Sequence, residues 1–182
     1  FHGVGPFDRA SGASLKSSDS TLTYTQAFTY AFNQEAQRDD KICAISAAMI
    51  DGTGLRDFAT SHPDRCFDVG IAEAHAVGLA SGLALGGYKP LVALYSTFLQ
   101  RAIDQSIINV ALCNLPVVFA IDRAGLVGDD GPTHHGMFDM ALLRTIPNMR
   151  IIAPSNEAEL VHALHTAFML PGPVVLRYPR GS

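Results

Sequence analysis

Short, continuous apolar runs alternate along the chain with longer segments in which apolar residues recur every three or four positions. Runs of the first kind are typical of strands buried on both faces, and segments of the second kind are typical of helices. The pattern predicts strands at about 42–45, 66–69, 90–95, 116–121, 149–153 and 173–177. It predicts helices at about 25–38, 73–85, 100–112, 138–143 and 157–169.

This alternation predicts an α/β fold, a three-layer sandwich with a mostly parallel sheet and helices on both faces. Residues 1–22 lack periodicity and are rich in Gly and Ser, so we expect an interdomain linker there and one domain over 23–182. Because the chain begins at Phe1 rather than Met, we expect a fragment or a processed product of a longer protein.

Composition narrows the possible functions. Only 16% of the 182 residues are charged, against about 25% in an average domain, which predicts extensive burial or a partner surface. The net charge of −4 and the lack of a basic stripe argue against nucleic-acid binding, and no apolar run is long enough to span a bilayer. Cys43, Cys66 and Cys113 have neither zinc-type nor disulfide spacing, so we expect buried free thiols in a reducing compartment.

Glu73 is the first candidate for chemistry. It lies among apolar and small residues, at the start of an Ala- and Gly-rich segment that ends at Gly87. Burial disfavours the charged form of a carboxyl group, and a carboxyl group held toward its neutral form can transfer protons near neutral pH. We therefore interpret Glu73 as a catalytic residue of an enzyme.

Polar residues follow the strand predicted at 90–95, at the sheet edge where parallel α/β folds bind ligands. Phe98 and Arg101 are three residues apart and share a helical face, and a ring beside a guanidinium suits a flat heterocycle. The alternative is a core Phe98 with Arg101 paired to Asp104. Thr97 suits the N-cap of this helix.

Two later segments suit an anionic ligand. In the long loop 121–136, Arg123 could bind a phosphate or carboxylate, and His134 could transfer a proton near pH 7. A metal site built from the Asp and His residues of this loop lacks a further ligand, and a purely structural loop is an alternative. Arg177 ends the last strand at the same edge as Arg123, so the pair suits a phosphorylated substrate unless both are ordinary surface cations.

Five segments in this order resemble the 1-deoxy-D-xylulose-5-phosphate synthase family of transketolase-like thiamine-diphosphate enzymes. They are 67–73, 95–101, 120–125, 130–134 and 177–181, and residues 2–4 with 7–8 extend the resemblance to the start of the chain. The resemblance implies the thiamine-diphosphate-binding fold, with this chain forming an interdomain linker plus the pyrimidine-binding domain.

The resemblance also implies residue roles. Glu73 would hydrogen-bond the N1′ ring nitrogen of the cofactor's aminopyrimidine and so promote proton removal from the thiazolium. Phe98 would stack on the pyrimidine, Arg101 would approach its polar edge, and Ile71 would support the bent cofactor. The implied substrate-binding residues are His2, Tyr95, Arg123, Asp130, His134 and Arg177. Among them, Arg123 and Arg177 would bind a phosphate, and His134 would also assist proton movement as a catalytic residue.

The implied activity is the condensation of pyruvate, with loss of CO₂, with glyceraldehyde 3-phosphate, for the synthesis of isoprenoid precursors, thiamine and pyridoxal. Thiamine diphosphate and Mg²⁺ would be shared with a diphosphate-binding domain whose Gly-Asp-Gly motif this chain lacks, so the chain alone would be inactive and hold no metal ligand. A cytoplasmic homodimer, or a plastid one in a plant, is implied.

The chain departs from the family pattern at Ala74 and His135, each of which replaces a common Gln. The alternatives are a different transketolase-like subunit, a 2-oxo-acid dehydrogenase beta subunit, and a non-catalytic interaction domain of the same fold.

Overall fold

A six-stranded parallel sheet with strand order β2-β1-β3-β4-β6-β5 forms the centre of the computed structural model, which describes residues 7–13, 15 and 22–181. The strands are β1 (Ile42–Ser46), β2 (Cys66–Asp68), β3 (Lys89–Tyr95), β4 (Val118–Asp122), β5 (Arg150–Ile152) and β6 (Val174–Arg177). The predicted parallel α/β fold is confirmed, and each predicted strand is present within about two residues of its predicted bounds.

In the described part of the chain, seven α-helical segments surround the sheet. They are α1 (Tyr24–Arg38), α2 (Arg56–Ser61), α3 (Glu73–Leu85), α4 (Ser96–Leu99), α5 (Ile103–Gln105), α6 (Asp139–Leu143) and α7 (Glu157–Met169). A capping box between Thr23 and Gln26 fixes the start of α1, and the Asn156 side chain caps α7. Helices α3 and α7 have the predicted bounds, whereas α2 was not predicted because it is short and buries only Phe58.

The prediction of one regular helix over 100–112 is wrong. A 3₁₀ turn (Gln100–Ala102), α5 and a π-helix (Ser106–Ala111) follow one another there. Ser106 Oγ donates to the Ala102 carbonyl at 2.8 Å, and such back-bonding competes with the regular helical ladder. The Thr97 N-cap is also wrong, because α4 begins at Ser96 and Thr97 Oγ1 donates to the Thr133 carbonyl at 2.9 Å instead.

Two hydrophobic cores cover the two faces of the sheet. Leu91 and Ala93 of β3 face α1 and α7, while Val92 and Leu94 face α3 and the π-helix. Because strands are buried on both faces, their sequences are continuous apolar runs rather than alternating ones. The predicted three-layer arrangement is therefore confirmed.

The three cysteines are free thiols in different surroundings. Cys43 is buried and Cys66 is half-buried, and burial raises the pKa of each thiol to about 11. Cys113 is exposed in a turn just after the π-helix, so the prediction of a buried thiol is wrong for it. Within the described part of the chain, no helix is both long and apolar enough to cross a membrane.

Asp122, the last residue of β4, has no exposed surface, so its carboxyl group is fully buried. Its Oδ2 accepts a hydrogen bond from Thr25 Oγ1 at 2.9 Å, and its Oδ1 accepts one from the Arg123 N–H at 2.6 Å. Burial raises the pKa of Asp122 to about 6, although the Arg123 charge and both hydrogen bonds act in the opposite direction. The fold therefore keeps a carboxyl group in the core at a free-energy cost.

This burial predicts a pH-dependent stability. An unfolded Asp titrates near pH 4, so between about pH 4 and 6 the native state binds the Asp122 proton more tightly than the unfolded state does. The contribution of Asp122 to the free energy of unfolding should fall by about 3 kcal/mol as the pH rises through this interval, and should stay constant above it. Chemical denaturation from pH 4 to 8 of the wild type and Asp122→Asn measures this contribution as a difference. A difference that does not vary with pH would contradict the prediction.

Candidate active site

Two aromatic rings stack at the carboxyl edge of the sheet. Tyr95 ends β3 and Phe98 lies in α4, so one helical turn brings the rings nearly parallel, with centroids 5.6 Å apart and planes at 13°. A guanidinium lies over each ring, that of Arg123 at 3.9 Å from the Tyr95 centroid and that of Arg101 at 5.1 Å from the Phe98 centroid. The predicted shared face of Phe98 and Arg101 is confirmed. We name these four side chains the aromatic stack.

Glu73 adjoins the Arg101 end of the aromatic stack. It is the first residue of α3, and its side chain is only 4% exposed. Arg101 Nη1 donates to Glu73 Oε1 at 2.6 Å, so Arg101 pairs with Glu73 rather than with Asp104. Among the described residues none donates a hydrogen bond to the second oxygen, Oε2. A buried carboxylate is thus fixed by one cation and keeps one acceptor for a ligand.

Arg123 is held at the other end of the aromatic stack. Its Nε donates to Asp130 Oδ2 at 3.2 Å, and its Nη1 donates to the Gly52 carbonyl at 3.3 Å. Glycine at position 52 lets the chain pass close to Tyr95, because a Cβ atom there would lie 2.0 Å from the Tyr95 hydroxyl oxygen. Burial raises the pKa of Tyr95 to about 12, so its hydroxyl stays protonated at neutral pH.

A second arginine at this end was missed by the sequence analysis. Arg180 Nη1 lies 2.9 Å from Asp130 Oδ2, the same oxygen that Arg123 contacts. Arg177, which was predicted to join Arg123, instead donates through Nε to Asp139 Oδ2 at 2.8 Å and through Nη2 to Oδ1 at 3.4 Å. The sequence of segment 177–181 indicated that an arginine would join Arg123. Position at a strand end, however, does not reveal which arginine of the segment turns toward the loop.

His134 contacts the aromatic stack from the loop after β4. Its ring meets the Phe98 ring edge-on, with centroids 5.7 Å apart and planes at 76°. The loop approaches closely because residue 136 is Gly, where a Cβ atom would lie 2.5 Å from both the Arg123 carbonyl oxygen and the Ser96 side chain. His135 Nδ1 accepts a hydrogen bond from the Val127 N–H at 3.1 Å, which gives this residue a role in the loop's own structure.

The structure brings most of the predicted site residues into one row. The row runs through Glu73, Arg101, Phe98, Tyr95, Arg123 and Asp130, with His134 beside it. Arg177 is held by Asp139, Ile71 is 79% exposed between β2 and α3, and His2 lies outside the described residues. In the parts of the chain that the structure describes, no group of three or more metal-ligating side chains could hold an ion. The row combines an acceptor for a heterocycle's N–H, a stacking surface and a cationic end.

The site is open to solvent at its Arg101 end. Grooves beside α1, one shared with α2 and one with α7, contain none of the predicted site residues. The Arg101 side chain is 56% exposed, although its partner Glu73 is buried. A ligand bound here would therefore remain uncovered on one side.

Comparison with known proteins shows close relatives that are much longer. The chain is 60% identical over 181 residues to 1-deoxy-D-xylulose-5-phosphate synthase from Syntrophomonas wolfei, and the match covers 28% of that protein. It is 56% identical over 182 residues to 1-deoxy-D-xylulose-5-phosphate synthase 2 from Geobacter sulfurreducens, of which it covers 29%. The match extends over the whole of this chain in both cases.

Solved transketolase structures share the fold. A chain of a split-gene transketolase, described as an inactive β4 tetramer, is 30% identical with a TM-score of 0.78, covering 88% of this chain and 52% of that one. Transketolase from Leishmania mexicana, at 22% identity, has a TM-score of 0.81 and covers 92% of this chain and 27% of that one. The family model "Transketolase, pyrimidine binding domain" matches residues 20–182, and this chain therefore belongs to the transketolase pyrimidine-binding domain family.

Proposed function

We propose that this chain is the pyrimidine-binding part of a 1-deoxy-D-xylulose-5-phosphate synthase, which joins the two-carbon unit of pyruvate, after loss of CO₂, to glyceraldehyde 3-phosphate for the synthesis of isoprenoid precursors. The observation that carries the proposal is the row from Glu73 to Arg123, with a carboxylate at one end and a cation at the other. The names of relatives that are 56–60% identical support the choice of substrates.

The Glu73 end fits the aminopyrimidine of thiamine diphosphate. When bound, this cofactor supplies the carbon nucleophile and the electron sink that the reaction needs. Glu73 is buried and has Oε2 available to hold a proton shared with a ring nitrogen, while Arg101 fixes its other oxygen. Phe98 offers a ring for stacking, and on this proposal the exposed side chain of Ile71, just before α3, supports the same ligand.

The Arg123 end fits the phosphate of the acceptor. Arg123 and Arg180 both contact Asp130 Oδ2, so two guanidinium groups lie side by side at this end and can offer further N–H donors to a phosphate. Tyr95 forms the surface between the phosphate and the cofactor ring, and His134 lies where it can orient the acceptor or move a proton. Arg177 and His2 stay in the proposal as further substrate-binding residues.

The exposed end of the site and the greater length of the relatives support a second domain that completes the site. The chain spans about 28% of the length of its curated relatives, so we propose that a diphosphate-binding domain, with Mg²⁺, covers the exposed side of Arg101 and Ile71. On this proposal the chain alone has no activity. The split-gene transketolase chain, described as inactive when it forms a β4 tetramer, supports this view.

We also propose that copies of the chain associate as a homodimer through α3. This helix carries exposed Leu85 at its end, and the adjacent π-helix exposes Ile108, with Leu112 following it. Small residues such as Gly78 and Gly82 leave open space beside α3, so another backbone can approach closely.

A reconstitution experiment tests the proposed activity. The chain is mixed with the diphosphate-binding domain of the Syntrophomonas wolfei relative, and pyruvate consumption with glyceraldehyde 3-phosphate is measured with and without thiamine diphosphate and Mg²⁺. We expect cofactor-dependent formation of a five-carbon ketose phosphate with one CO₂ per turnover. Cofactor binding without any turnover, in this pairing and in one with the remaining domains of the Geobacter sulfurreducens relative, would favour a non-catalytic interaction domain.

Glu73→Ala in the reconstituted enzyme should lower kcat by a factor of about 10² or more, because it removes the proton-sharing partner of the heterocycle. Asp104→Ala is the matched control, since Asp104 lies one helical turn from Arg101 but does not pair with it. Steady-state kinetics at saturating substrates measure both variants. Turnover near the wild-type value in Glu73→Ala would refute the assigned role.

Arg123→Ala should mainly raise the KM for glyceraldehyde 3-phosphate, by about 30-fold to 1,000-fold, which corresponds to about 2–4 kcal/mol of lost charge-assisted binding. Unphosphorylated glyceraldehyde is the control acceptor, because its binding lacks the ion pair. The ratio of the two KM values is the measurement. If it is the same in the variant and the wild type, Arg123 does not bind the phosphate.

A further inference from the structure

Asp122 is a buried carboxyl group that the proposed chemistry does not use. It lies directly before Arg123, and its register partner in β3 is Tyr95. Both ends of the carboxylate are occupied, Oδ1 by the Arg123 N–H at 2.6 Å and Oδ2 by Thr25 Oγ1 at 2.9 Å. A carboxyl group retained at such depth requires compensation from its neighbours, and that compensation points to its role.

The backbone of Arg123 adopts an unusual conformation. Its φ of +58° lies in the left-handed region, which is strained for a residue with a side chain. The hydrogen bond from the Arg123 N–H to Asp122 Oδ1 holds the peptide group directly before this turn. The left-handed turn decides where the Arg123 side chain leaves the backbone, and Asp122 anchors the peptide group from which the turn begins.

The guanidinium of Arg123 also lies close to the Asp122 carboxylate. Arg123 Nη1 lies 3.7 Å from Asp122 Oδ2, while the group rests over the Tyr95 ring and contacts Asp130 and Gly52. The side chain is only 18% exposed. Asp122 thus provides a negative charge on the buried side of the Arg123 guanidinium, and Asp130 provides a second, more exposed negative charge.

We propose that Asp122 is a positioning residue for the acceptor phosphate, anchoring the peptide group before Arg123 and holding the Arg123 guanidinium over Tyr95 so that the remaining N–H groups face the ligand. This inference rests on the proposed function, because it assumes that Arg123 binds a phosphate. Asp122 itself does not touch the substrate.

The electrostatic surroundings agree with this role. Burial raises the pKa of Asp122 to about 6, so the residue is ionised, and able to hold a cation, at neutral pH but not well below it. Charged or titratable groups that act on Asp122 come from β3, from the loop after β4 and from the segment after β6, and Thr25 of α1 adds a hydroxyl. These groups are Tyr95, Arg123, Tyr178 and Arg180.

Asp122→Asn in the reconstituted enzyme is the first test. The amide keeps the size and can still accept from the Arg123 N–H, but it removes the charge beside the guanidinium. We expect the KM for glyceraldehyde 3-phosphate to rise about tenfold, the KM for unphosphorylated glyceraldehyde to change less than about twofold, and kcat with saturating acceptor to stay within about twofold. An equal change for both acceptors, or no change for either, would overturn the proposal.

An NMR experiment on the chain itself provides a readout that does not need activity. The Nε–Hε signal of Arg123, assigned by its loss in Arg123→Lys, is followed from pH 5 to 8. We expect a pH-dependent shift with a midpoint of about 6 in the wild type, and no such transition in Asp122→Asn. The same transition in both proteins would show that another group controls Arg123 and would overturn the proposal.

Thr25 supplies a matched pair of variants outside the binding machinery. Thr25→Val removes the hydroxyl that donates to Asp122 Oδ2, so the midpoint of the Arg123 signal should move to higher pH, whereas Thr25→Ser should leave it near the wild-type value. If both variants behave alike, the Asp122 carboxylate does not govern the signal. A parent enzyme that shows no turnover would refute the proposed function, while the NMR comparison would still decide whether Asp122 positions Arg123.

Discussion

The register between β3 and β4 is the constraint on which the rest of the site depends. Five successive pairs align the two strands, and the last of them sets Tyr95 opposite Asp122 at the carboxyl edge. Both residues have the parity of Ala93 and Ala120, whose side chains pack on the α1 side of the sheet. A slip of β4 by one residue would turn the Asp122 side chain to the other face and separate Arg123 from the Tyr95 ring.

From this edge, each strand continues into the element that supplies the next side chain. Tyr95 leads into α4, which carries Phe98. The guanidinium of Arg101, in the 3₁₀ turn that follows α4, lies over the Phe98 ring. Asp122 leads into the left-handed residue Arg123 and the loop that returns His134 to Phe98. The site is therefore assembled from two strand ends and the short helical turns after them, with Glu73 added from the start of α3.

Several unfavourable features concentrate at this edge, while the two cores are regular. A carboxyl group is fully buried, a residue with a side chain adopts the left-handed region, and Gly52 and Gly136 occupy positions where a Cβ atom would clash. The hydroxyl of Tyr178 is also buried without a hydrogen-bond partner among the described residues. Proteins retain such unfavourable features where several groups must be held in fixed positions to bind a ligand. The surrounding packing stabilises these groups.

The sequence by itself determined the layers of the fold and the edge at which function would be found. Burial of strands on both faces leaves continuous apolar runs, and the amphipathic period of α7 and the small-residue run of α3 mark these helices from end to end. Spacing also placed Phe98 and Arg101 on one face, because residues three apart in a helix must be neighbours. These properties depend on local periodicity, which the sequence displays directly.

Only the tertiary structure decided which charged groups meet. Arg101 pairs with Glu73, 28 residues away, rather than with nearby Asp104, and Arg180 rather than Arg177 joins Arg123 at Asp130. The burial of Asp122 and the exposure of Cys113 were equally beyond the local pattern. The physical reason is that a pairing depends on distances between separate elements, set by strand register, loop path and packing. Local spacing fixes only the direction in which each side chain leaves its own element.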